Sequence, residues 1–296
     1  MATPAHGLDA VVVATDFSPS AQRALDRVPL LPLAPGAKVY VAHALRSNLP
    51  RKVRAAALAD AHRRLKAAAG ALGARARGAS VKPVLLHGEP LAELHRLCDR
   101  VSADVVVVGR HGERPVADQL LGTLAEGLVR VASPPVLVIH LRAVRPWRRI
   151  MVATDGTDEG AHVMQRALSF APGNLERADL VHAYHVPFEG FLAQSLSTDE
   201  RRKLRGAYRA EAAAAVSAAV AAWPGEVPWH KTLRAGDARI VVLEQVAHRR
   251  TELLCVGSHR RSWFGATLLG SVAQWLVRAA QCDVLVVPPS PVSARR

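Results

Sequence analysis

One pattern in this chain occurs twice. "VVVATDFSPS" (Val11–Ser20) returns as "IMVATDGTDE" (Ile150–Glu159), which sets Asp16 on Asp155, 139 positions later. "VYVAHAL" returns within "DLVHAYH", with His43 on His182 at the same offset. Farther along, the offset becomes 148: Gly88 falls on Gly236, Gly109 on Gly257, Gly122 on Gly270 and Val136 on Val284. A long repeat at nearly fixed spacing implies two copies of one structural unit, and 296 residues are enough for two domains. The copies are expected to divide near "RAVRPWRR", giving domains over 1–145 and 146–296. The second copy carries nine extra residues between its second and third strands. There Ser197 and Glu200 have the spacing of a capping box, so the excess is expected to lengthen the loop and helix that open at that point.

Each copy alternates short apolar runs with helical patterns. In the first, strands are expected at Ala10–Ala14, Lys38–Ala44, Val81–His87, Asp104–Gly109 and Val136–His140. Ser18-Pro19 has the chemistry of a helix start, a capping hydroxyl before a first-turn proline. In "RKVRAAALADAHRRLKAAAGALG", Leu58, Leu65 and Leu72 recur every seven residues on one helix stripe. Continuous apolar strands alternating with helices predict a doubly wound α/β fold, a parallel sheet covered on both faces. Ligands in such sheets sit beyond the carboxyl ends of the strands, where strand order reverses.

The fourth strand of the first copy runs into "GRHGERPVADQLLGT" (Gly109–Thr123): glycine, two residues, glycine, nine residues, glycine, threonine. The dinucleotide fingerprint fails here, because "TDFSPS" follows the first strand, and the chain contains no G-K-[ST] tripeptide. The spacing still suits an anion. Gly109 is expected to make a sharp turn at the strand end. Gly112, without a Cβ, lets backbone N–H groups approach a phosphate. Gly122-Thr123 stand at a helix start, where unpaired N–H groups, a hydroxyl and the helix dipole meet phosphate oxygens. Asp16, ending the first strand, would face the same crevice and contact a ribose or base edge, or hold a metal that neutralises phosphates. Glu113 adds a negative charge beside the loop.

These stretches, with "LLHGEPLAELHRLCDRVSADVVVVGRHG" and "LLGTLAEGLVRVASPPVLVI" in the first copy and "LRAGDARIVVLEQV" and "LLGSVAQWLVRAAQCDVLVV" in the second, closely resemble the universal stress protein family, as a tandem two-domain member. The resemblance covers nearly the whole chain. It implies a five-stranded parallel sheet in each half, ordered 3-2-1-4-5 and flanked by helices, and pairing of the halves through their fifth strands, Val136–His140 against Val284–Pro288. It implies that the glycine pattern marks members that bind ATP. By position, Thr15, Asp16 and Ala42 would meet adenosine, while Gly109, Arg110, Gly112, Gly122, Thr123 and Leu124 would meet phosphates and ribose. The second copy keeps Asp155, Gly257, Gly270 and Ser271 but has Arg260 where the middle glycine belongs. That side chain would fill phosphate space, or Arg260 and Arg261 would hold an anion in another pose. The second domain is therefore expected to be a structural or altered partner.

Composition narrows the alternatives. The formal charge is +14, from 39 Lys+Arg against 25 Asp+Glu, but the arginines are scattered and no nucleic-acid motif appears, so no specific nucleic-acid binding is expected. No apolar run approaches the roughly 20 residues of a membrane span. "MATPAHGLDA" lacks the features of a secretion leader, and Cys98, Cys255 and Cys282 have no paired spacing, which together point to the cytoplasm. His43, His87 and His111 lie near strand ends, but no metal centre is expected from them. Three functional classes follow: a nucleotide-binding stress-response protein; a slow ATPase or self-phosphorylating enzyme, for which Thr123 and Glu113 are the only candidate groups; and a nucleotide-free scaffold for another small ligand or a protein. Pairing of two chains into a homodimer stays open.

Overall fold

The computed structural model describes residues 7–46, 50–110, 122–171, 173, 175–186, 196–221, 227, 229–258 and 270–290. The first half runs β1 (Leu8–Ala14), α1 (Pro19–Arg27), β2 (Leu33–Leu45), α2 (Arg51–Arg75), β3 (Ser80–His87), α3 (Pro90–Val101), β4 (Val105–Gly109), α4 (Thr123–Val131) and β5 (Val136–Ile139). The second half repeats it as β6 (Arg149–Ala153), α5 (Asp158–Leu168), β7 (Arg177–Tyr184), α6 (Thr198–Ala221), β8 (Trp229–Ala235), α7 (Ala238–Arg249), β9 (Leu253–Gly257), α8 (Ser271–Ala279) and β10 (Asp283–Val287).

The strands form one ten-stranded sheet in the order β3-β2-β1-β4-β5-β10-β9-β6-β7-β8. Each half thus has the expected 3-2-1-4-5 order, parallel throughout. The halves join where β5 and β10 pair antiparallel, with Leu137 opposite Leu285 and Val138 opposite Val284. Leu137 and Leu285 are equivalent positions of the two copies, so an approximate twofold axis passes between them.

The strands bury both faces. Along β1, Val11 and Val13 pack into one core with α1, α2, α5 and α6, while Val12 and Ala14 pack into the other with α3, α4, α7 and α8. Each valine so enclosed contributes about 1.5–3 kcal/mol over leaving it in water. This explains why the strands read as unbroken apolar runs instead of alternating ones. Leu65 and Leu72 of the α2 stripe are buried in the first of these cores.

Local signals translate as their chemistry requires. The Ser18 hydroxyl caps α1 by accepting from the Ala21 N–H at 3.2 Å, with Pro19 in the first turn. The capping box forms: Glu200 accepts from the Ser197 N–H at 2.8 Å, and the Ser197 Oγ accepts from the Glu200 N–H at 3.3 Å. One expectation fails. Helix α6 spans 24 residues against 25 in α2, so the second copy's excess does not lengthen the helix. It falls in the flanking connections, most of which lie outside the described residues.

The junction between the copies is not a loose linker. Trp147 is buried, and its indole N–H donates to Asp283 at 2.9 Å. The same carboxylate accepts from the backbone N–H groups of His140 and Leu141, at 2.9 Å each. The chain leaving β5 is therefore tied directly to the start of β10.

Candidate functional site

Strand order reverses between β1 and β4, so the crevice lies above the ends of these two strands. At the end of β1 the chain folds into a compact turn. Thr15 is buried; its N–H donates to the Ala42 carbonyl at 2.8 Å, and its hydroxyl accepts from the Phe17 N–H at 3.0 Å. Asp16 accepts from the Ser18 N–H at 3.0 Å. Ala42 is itself buried, so its part is to hold β1 to β2 through its carbonyl. The second half repeats the turn: Thr154 accepts from the Gly156 N–H at 3.1 Å, and Asp155 from the Thr157 N–H at 3.1 Å.

Phe17 was not singled out from the sequence, yet it is the strained residue of this turn, with φ of +64°. That region is costly for a residue with a Cβ, and the second copy has Gly156 there at +79°. The Phe17 ring lies 4.6 Å from the His43 ring and 4.7 Å from the Arg64 guanidinium. His43 in turn directs Nδ1 to the Thr15 carbonyl at 2.8 Å, so Nδ1 must carry the hydrogen, since a carbonyl only accepts. His182 makes the same bond to the Thr154 carbonyl at 2.8 Å. The matched histidines in the repeat were the available signal. His43 thus supports the turn, His87 is exposed at the end of β3, and His111 lies outside the described residues.

At the end of β4 the glycine pattern resolves into two roles. The chain bends directly after Gly109, but Gly109 has no left-handed φ, so the bend does not draw on glycine's conformational freedom. A Cβ there would stand 2.6 Å from the carbonyl carbon of Ser20, so the residue is small to let α1 cross the strand end. At Gly257 the nearest neighbour among the described residues is a Val163 methyl at 3.2 Å. Gly122 stands at the helix start as read: it is the N-cap of α4, and its N–H donates to the Arg110 carbonyl at 2.8 Å, so the residues on either side of positions 111–121 are hydrogen-bonded. Thr123 is exposed at the first helical position. The first intrahelical bond runs from Glu126 N–H to Gly122 carbonyl at 3.0 Å, so the N–H groups of Thr123, Leu124 and Ala125 precede it and point out of the helix start. Leu124 packs its side chain toward the core. Gly270 caps α8 in the same way, with Ser271 exposed after it. Gly112, Glu113, Arg260 and Arg261 lie outside the described residues.

The end of β1, the end of β4 and the start of α4 thus border one crevice: the Thr15–Ser18 turn on one side, hydrogen-bond donors and a hydroxyl on the other. Such a place can receive an anionic group at the helix start and a polar edge beside Asp16. Arg110 sends its guanidinium to the Arg278 carbonyl of α8, at 2.8 Å. Glu126, in the first turn of α4, meets Arg278 and Gln274 of the second half at 2.8 Å each, together with Arg130. Partial burial would raise the Glu126 carboxyl, but the hydrogen bonds and charges of these neighbours outweigh it and hold it below its usual range.

Comparison with known proteins places these features in a wider group. The model of the Universal stress protein family matches residues 7–140 and 146–288. A universal stress protein of Mycobacterium tuberculosis is 30% identical over 226 residues, covering 73% of this chain and 68% of that protein. One of Mycobacterium bovis is 28% identical over 236 residues, covering 76% and 75%. The crystal structure of a universal stress protein from Archaeoglobus fulgidus shares the fold, with a TM-score of 0.69 over 95% of this chain and 99% of that one, at 16% identity.

Proposed function

This chain belongs to the universal stress protein family, and from that premise we propose that it serves the stress response by binding ATP with Mg²⁺ in its first half. The single observation that carries the reading is the start of α4. There Gly122 closes the loop onto Arg110, Thr123 is exposed, and the first-turn N–H groups point outward. Phosphates would be held by those donors and by the backbone near Gly112, with Asp16 on the ribose or base side. Helix-start N–H groups and glycine-opened backbone suit a polyphosphate better than an uncharged ligand.

The second half keeps Asp155, Gly257, Gly270 and Ser271 but carries Arg260. In this reading it is a structural partner, supplying through β10 the strand that β5 would otherwise need from another chain. The protein binds and regulates without catalysing, and it acts in the cytoplasm, a location supported by three cysteines that are all free, buried thiols.

Calorimetry of the purified chain with ATP and Mg²⁺ tests this. The expected result is one nucleotide per chain, lost in Gly112→Arg, which copies the second half's own substitution. No binding at millimolar ATP overturns the nucleotide reading. An unchanged affinity in Gly112→Arg moves the site away from the first half.

A further inference from the structure

Arg278 belongs to the second half, yet it touches the first half on both sides of positions 111–121. Its backbone carbonyl accepts from the Arg110 guanidinium at 2.8 Å, directly after β4. Its own guanidinium reaches the Glu126 carboxylate at 2.8 Å, in the first turn of α4. Gln274, one helical turn earlier on α8, donates to the same carboxylate at 2.8 Å. Glu126 is the one acidic residue in the first turn of α4. A carboxylate there occupies the positive end of the helix dipole that a phosphate would use, and repels a second anion. Neutralising Glu126 therefore prepares this helix start for an anion.

The arrangement is not reciprocal. The second half has Ser258 at the position of Arg110 and Gln274 at the position of Glu126. At these two positions it has neither a long cation nor a carboxylate. The asymmetry runs in the same direction as the glycine pattern, whose middle residue survives only in the first half.

We propose that Arg278 is a positioning residue for the first half's nucleotide site: it holds Arg110 and cancels the charge of Glu126, so that the second domain completes the site without touching the nucleotide. This rests on the nucleotide reading above. It gives the tandem arrangement a role beyond pairing strands, because in a lone first half only Arg130 of the same helix would face the Glu126 carboxylate.

The test is ATP affinity by calorimetry in the full chain. Arg278→Ala keeps the backbone carbonyl that holds Arg110 and removes only the guanidinium that pairs with Glu126, leaving Arg130 beside it. It is expected to weaken binding about fivefold, the scale of one first-turn charge. Arg278→Gln, which keeps a donor without the charge, is expected to show the same loss and serves if the alanine variant does not fold. Adding Glu126→Gln to either variant should return affinity to within about twofold of wild type. A merely structural role for Arg278 would not be rescued in this way. Arg234→Ala, which removes a surface partner of Glu244, is the control and should bind as wild type. Unchanged affinity in Arg278→Ala and Arg278→Gln overturns the proposal while leaving the nucleotide reading intact, as does a double variant no tighter than the single. A wild-type chain that binds no ATP overturns both.

Discussion

The Arg27 guanidinium of α1 lies 3.1 Å from the Asp283 carboxylate at the start of β10, with the two side chains 3% and 0% exposed. The pair joins the two copies, and it is tightly furnished. Arg27 also donates to the Arg145 carbonyl at 2.9 Å and lies over the Trp147 ring at 4.6 Å. Removing one partner strands the other's charge in the interior, which typically costs about 3–5 kcal/mol. Arg27→Met and Asp283→Asn are each expected to destabilise the chain on that scale in urea unfolding. Combined, they should cost clearly less than their sum, because neither charge is then left alone. Additive costs would mean that the pair is not coupled.

Gly109 and Gly257 occupy equivalent positions, and alanine should separate them. At Gly109 the new Cβ would meet backbone atoms of Ser20 at 2.6 Å, which only a shift of α1 can relieve. At Gly257 it would meet a side-chain methyl at 3.2 Å, which can give way. Gly109→Ala should destabilise by about 1–3 kcal/mol, the usual cost of overpacking, and Gly257→Ala by less than about 1 kcal/mol. Thermal melts of the two variants check the order.

Phe17 stores strain in a left-handed conformation that glycine adopts freely. Replacing it loses the ring contacts with His43 and Arg64 in either case, but only glycine also relieves the backbone. Phe17→Gly should therefore be more stable than Phe17→Ala by about 1 kcal/mol, the reverse of their order in a helix. Equal stabilities would show that the turn relaxes when the ring is gone.

Glu252 ties the entry of β6 to the entry of β9. It accepts from the Arg148 N–H at 2.6 Å and pairs with Arg145 at 2.7 Å and Arg149 at 3.2 Å. Burial opposes its charge, but the backbone hydrogen bonds and the arginines prevail and hold the carboxyl below its usual range. A carboxyl lowered on folding binds its proton more readily in the unfolded chain. Its stabilisation is thus complete above the unfolded value of about 4.3 and disappears as pH falls through the lower folded value. The wild-type melting temperature should exceed that of Glu252→Gln near neutrality, and the gap should close in acid. A gap independent of pH would assign the effect to packing.

Most of the architecture could be read in advance, for local reasons. Valine runs closed by glycine or Ser-Pro marked strands and helix starts, because β-branched side chains suit a doubly covered sheet and a capping hydroxyl satisfies helix donors. The repeat offsets aligned the two copies, so His43 and His182 came paired before their shared bond to a threonine carbonyl was known. The helix start at Gly122-Thr123 was equally visible. Other features depended on residues far apart in the chain. Gly109 looked like a turn, but its smallness answers to Ser20 on a crossing helix. Nothing near Arg110 in the chain shows that its guanidinium reaches a carbonyl 168 residues away.

The amino-acid order alone thus settled the two copies, their strand–helix alternation and the helix start facing the crevice, since these rest on periodicity, caps and spacing within short windows. Folding decided which charges meet. Arg27 finds Asp283, and Arg278 finds Glu126, only because β5 and β10 pair antiparallel about an axis between Leu137 and Leu285. That pairing brings α4 against α8 and the end of α1 against the start of β10. No local pattern encodes it, because each partner alone reads as an ordinary charged residue on a helix or at a strand end.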